Sequence, residues 1–64
     1  MKGVLRVHKI GNVNKLKRDI TSIEGVIALY ISKESEEVTV IFDEYFTTLD
    51  DIIDKLENDG HIIL

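Results

Sequence analysis

Between Ile20 and Ile31 a helical pattern has to give way to a strand pattern within two residues, and few folds accommodate that joint. Val13, Leu16, Ile20 and Ile23 recur at helical spacing and fall near one face. Gly25 is expected to stop that helix, because glycine enters the left-handed conformation without a Cβ penalty. The β-branched and aromatic run Val26-Ile-Ala-Leu-Tyr-Ile31 follows at once and reads as a strand to Ser32.

The flanking segments extend the pattern. Gly3–His8 reads as a strand with Leu5 and Val7 inward and Val4 and Arg6 outward. Asn12 is a suitable N-cap for a helix over Val13–Glu24, whose first turn carries no acid, only Lys15. The polar cluster Lys33–Glu37 predicts a hairpin turn into a strand over Val38–Asp43, where Val38, Val40 and Phe42 share one face. Asp43–Phe46 is a connection in which Tyr45 and Phe46 are expected to be partly packed. Thr47 or Thr48 caps a second helix with the apolar stripe Leu49, Ile52, Ile53 and Leu56. Gly60 ends it, and His61–Leu64 is a short last strand. The order β-α-β-β-α-β predicts an α+β, ferredoxin-like sandwich: a four-stranded antiparallel sheet with two helices on one face. The other face meets only water unless another molecule covers it, and Ile27, Tyr30 and Ile41 are expected there.

Sixty-four residues suit one domain, 1–64, near the lower limit for folding alone. No cysteine is present to add a disulfide or a thiolate-bound metal. No apolar run approaches the roughly 20 residues of a membrane span and no signal-peptide pattern opens the chain, so no membrane contact and a cytoplasmic setting are expected. The net charge of −4 is poor for nucleic acid, and none is expected as a partner. The charge is uneven: residues 1–32 sum to +4 and residues 33–64 to −8. That asymmetry suits a protein partner with an acidic face, or a second copy, unless the halves neutralise each other within one fold. There is no glycine-rich phosphate loop and no nucleophile-and-base pairing, so no enzyme is expected.

The pieces Ile23-Glu-Gly-Val26 with Leu29 and Ile31, then Val38, Val40 and Phe42-Asp43, then Leu56-Glu-Asn-Asp-Gly-His61 resemble the heavy-metal-associated domain family. That family comprises small copper chaperones and N-terminal modules of metal-transporting P-type ATPases. The resemblance covers nearly the whole chain and implies a metal-ion binding or transport accessory. The family's site is Met-x-Cys-x-x-Cys between the first strand and first helix. Here a gapless register puts Lys9 and Asn12 at the cysteine positions; a second register, with a shorter loop, puts Ile10 at the methionine. Either leaves a degenerate, cysteine-free site without thiolates for a soft ion, and a lysine ammonium repels a cation.

Three functional readings follow from this sequence. In the first, a divalent transition metal is held through His8 and His61, with Asp59 as a further donor; on the family's fold both histidines lie at one end. In the second, metal binding is lost and the chain is a protein-interaction or dimerisation module, docking through Lys9, Lys15, Lys17 and Arg18. The third is a ferredoxin-like dimer that senses a small ligand.

Overall fold

The computed structural model describes residues 1–64 and has the elements β1 (Lys2–His8), α1 (Val13–Thr21), β2 (Val26–Ser32), β3 (Glu37–Phe42), α2 (Leu49–Asn58) and β4 (Ile62–Ile63). The strands form one antiparallel sheet in the order β2-β3-β1-β4. Both helices pack on one face of it, so the expected architecture stands. Strand alternation selects that face: Gly3, Leu5 and Val7 are buried while Lys2, Val4 and Arg6 are exposed. Val38, Val40 and Phe42 continue the buried layer on β3. Leu16 and Ile20 of α1 and Ile52 and Leu56 of α2 close over it, all at 1% exposure or less. Ten side chains make up this core.

The first helix is shorter than its apolar spacing suggests. It ends at Thr21 with Ser22 as C-cap, not at Glu24. The hydroxyls of Thr21 and Ser22 donate to the Arg18 and Asp19 carbonyls at 3.2 and 2.7 Å, and the Ile23 N–H turns to the Ile20 carbonyl. Local side-chain bonds thus take over the last turn. Gly25, at φ 98°, therefore shapes a second turn leading into β2 and does not itself terminate the helix. A Cβ there would sit 2.8 Å from the Phe46 Cβ, so close passage of the β3–α2 connection also selects glycine.

The second helix ends as its sequence predicts. Beyond its C-cap Asp59, Gly60 adopts φ 97°. The Gly60 N–H donates to the Glu57 carbonyl at 3.1 Å and the His61 N–H to the Leu56 carbonyl at 3.0 Å. This paired helix-end closure places His61. Thr48, not Thr47, is the N-cap, accepting from the Asp51 N–H at 3.2 Å. Tyr45 and Phe46 are not packed: they are 88% and 58% exposed, edge to face at 5.3 Å. The Asp43 side chain accepts the Tyr45 N–H, and that tight turn directs both rings outward.

Candidate functional site

One end of the molecule, here the tip, gathers the close of β1, the loop 9–12, the first turn of α1, the β2–β3 turn and His61. Asn12 opens α1 by accepting the Lys15 N–H at 3.0 Å. That orients Lys15, whose Nζ lies 2.9 Å from Asp19 Oδ2 one turn on. The same carboxylate oxygen lies 2.8 Å from His61 Nε2. Side-chain exposures of 15% for His61 and 19% for Asp19 show that both are largely withdrawn from solvent. The Asp19 carboxyl is held below its ordinary value, first by the His61 hydrogen bond and then by the Lys15 hydrogen bond, against a smaller opposing effect of burial. An ionised carboxylate only accepts, so His61 Nε2 carries the proton and donates. In the neutral ring the lone pair is then on Nδ1.

His8 lies apart from this group. It closes β1 on the open face of the sheet, opposite Ile62, with Nδ1 3.7 Å from Glu36 Oε2. Glu36 also takes the Lys9 N–H through Oε2 at 2.6 Å, and its carbonyl takes the Val7 N–H at 2.9 Å. Lys9 and Glu36 are the chain's two non-glycine residues with left-handed backbone, both at φ 54°. Each such conformation costs on the order of 1 kcal/mol, and both fall at the tip.

Both histidines are therefore at the tip, on opposite sides of the sheet, each with its own carboxylate. Asp59 is exposed at the C-cap of α2. Nowhere do three or more His, Cys, Asp or Glu side chains converge on a point an ion could occupy. Thiolate coordination of a soft ion does not fit these residues, since the chain has no cysteine. Of the four basic residues assigned to docking, Lys9 is exposed beside its bond to Glu36, Lys15 is engaged by Asp19, and Lys17 and Arg18 are exposed with no ion-pair partner.

Asp19 and Glu36 were not singled out from the sequence, although they organise the tip. Asp19 carried one signal, its i,i+4 spacing from Lys15. Nothing local links it to His61, 42 residues away. A hollow of about 70 Å³ lies among Val7, Lys9, Gly11, Asn12, Lys15 and His61, room for a water or two. The larger hollow, about 280 Å³, is at the opposite end, between Met1, Gly3, Phe42 and Leu49.

No protein-family profile matches the sequence, and no curated protein sequence does. Solved structures match throughout. Apo-CopP from Helicobacter pylori is 31% identical, with the whole of both chains covered and a TM-score of 0.85. Oxidized MerP from Ralstonia metallidurans CH34 is 19% identical, with 100% of this chain and 93% of that one covered and a TM-score of 0.88. A copper binding domain from a P-type ATPase is 18% identical, with 98% and 89% covered and a TM-score of 0.88. The fold and the likeness to CopP over the full length define the class: the chain belongs to the heavy-metal-associated domain family. Within that family it carries no cysteine.

Proposed function

We propose that this chain is a non-catalytic accessory to metal handling whose tip and α1 dock onto a protein partner with an acidic face. The observation that carries the reading is the basic face of α1 beside the tip. Asp19 offsets Lys15, but Lys17 and Arg18 are exposed without ion-pair partners, which leaves α1 with three basic residues against one acid. The first turn of α1 has no acid to offset the helix dipole. Such a surface speeds encounter with an acidic one and sets its orientation, and neither effect needs an ion. The metal-handling context is supported by the kinship with CopP and by the similar copper binding domain of an ATPase. Its setting is taken to be the cytoplasm; no helix is long and apolar enough to cross a membrane.

The test uses soluble metal-binding domains of P-type ATPases as probes, with affinity measured at low and high salt. Lys17→Glu with Arg18→Glu is expected to weaken binding tenfold or more, about 1.4 kcal/mol, and salt is expected to do the same to the native chain. Binding indifferent to both would end this reading.

A second reading is favoured by one detail. A carboxylate that fixes one ring nitrogen, as Asp19 fixes His61 Nε2, is the usual outer support of a metal-binding imidazole. In this reading His61 Nδ1, and separately His8, take a divalent transition metal. Histidine NMR signals followed through additions of Zn(II), Cu(II), Ni(II) and Cu(I) distinguish the two readings. Rings that stay unmoved at micromolar metal eliminate it; a selective His61 shift would establish it.

A further inference from the structure

The open face of the sheet mixes exposed apolar and charged side chains. Val4 on β1, Tyr30 on β2 and Ile62 on β4 are 50%, 68% and 58% exposed on it, and Ile41 on β3 is half-buried beside Lys2. Cross-strand register sets the layout. Tyr30, Thr39 and Val4 form one row across β2, β3 and β1, and Glu37 and Arg6 stand side by side in the next row. Although neighbours in register, Arg6 and Glu37 make no ion pair, and both are exposed. The face thus holds an aromatic side chain, aliphatic neighbours, the unpaired Lys2 beside Ile41, and Arg6 and Glu37 as one charge of each sign at the same height.

We propose that a second copy of this chain covers this face, related by a two-fold axis that lies between β1 and β3 and runs along the strands. That operation keeps the height along the strands and exchanges left for right. It lays β1 of each copy over β3 of the other, so Arg6 of one protomer meets Glu37 of its partner, and the pair occurs twice. Val4 of both copies lies near the axis, and Tyr30 of each reaches in from β2 to flank the partner's β1. Facing sheets pack about 10 Å apart, a gap that an arginine and a glutamate together span. Charge complementarity in the Arg6–Glu37 row selects this occupant, because a copy presents a cation and an anion at matching heights, while the Lys2 stem lies over the partner's Ile41 with its ammonium at the rim. The same axis places both tips at one end of the dimer and leaves both pairs of helices outward, free for the docking proposed above.

The interface is small. Three strands of six or seven residues and the two-residue β4, spaced about 4.8 Å apart, present on the order of 350 Å² per copy, under half the standard for a stable complex. The dimer is therefore weak, with a Kd of about 10⁻⁵–10⁻⁴ M, typical of transient contacts.

Sedimentation velocity of the intact chain from about 10 μM to about 1 mM tests it. A monomer–dimer equilibrium is expected. Val4→Lys should weaken it at least tenfold, and Val4→Thr by less; Val4 is exposed, so circular dichroism should show the fold unchanged. Arg6→Glu and Glu37→Arg should each weaken it, and the double variant should restore it, because the exchanged pair meets again across the axis. A monomer at every concentration overturns the proposal. So does a dimer indifferent to Val4→Lys and Arg6→Glu, the result expected if copies instead join through edge strand β2. A double variant no tighter than the single ones overturns it as well.

Discussion

At the scale of single residues, Asp19 accepts from the His61 ring and the Lys15 ammonium, and these hydrogen bonds lower its carboxyl pKa from 3.8. A group whose folded pKa is depressed contributes stability that is complete above its unfolded value and fades as pH falls through the folded value. Urea unfolding followed downward from about pH 6 should therefore show native stability falling below about pH 4. Asp19→Asn should be the less stable protein at neutral pH and should lose part of that acid dependence; unchanged curves would mean the Lys15 and His61 contacts contribute nothing. The two left-handed glycines give a second contrast. Gly60→Ala places a Cβ in open space and pays only for its backbone, about 1–2 kcal/mol. Gly25→Ala adds a 2.8 Å clash with the Phe46 Cβ, so its loss should exceed that of Gly60→Ala, reaching about 3 kcal/mol. Thermal melts of the two variants side by side measure the difference.

At the scale of elements, both helices depend on one side-chain oxygen at their start. Asn12→Ala and Thr48→Ala should each cost about 1 kcal/mol. The effects should differ in place. Asn12→Ala should speed hydrogen exchange at the Lys15 amide and loosen the Lys15–Asp19–His61 group, whereas Thr48→Ala should speed exchange at the Asp51 amide, at the far end, and leave the tip intact. Exchange that rises equally at both amides in either variant would show that the caps act only through global stability. α1 is also where the sequence pattern overreached. Its apolar stripe continues through Ile23, but the Ser22 hydroxyl takes the Asp19 carbonyl and the Ile23 N–H turns to the Ile20 carbonyl, so the next helical bond does not form.

At the scale of the whole molecule, stability is modest and the core is small. At about 0.05–0.15 kcal/mol per residue a chain of this length has roughly 3–10 kcal/mol in hand. Leu56 is fully buried against the sheet, and Leu56→Ala should remove about 2–5 kcal/mol. That is enough to leave much of the protein unfolded at physiological temperature, seen as lost amide dispersion in NMR. Wild-type-like dispersion would mean the site collapses around the missing methyl groups.

What the chain's own order determined was local. The β-α-β-β-α-β succession, the inward set Leu5, Val7, Val38, Val40 and Phe42, the Asn12 cap and the Gly60 helix end all follow from periodicity and from bonds spanning a few residues. Such signals survive in sequence because their partners are three or four positions away. The site was legible only in outline: His8, His61 and the basic α1 were visible as residues without partners. Tertiary closure brought Asp19 to His61 across 42 positions and Glu36 to Lys9 across 27. It also put the two histidines on opposite sides of the sheet and left Tyr45 and Phe46 in solvent. Those outcomes depend on where distant segments come to rest, and no spacing along the chain encodes the distance between two side chains that only the folded sheet brings together.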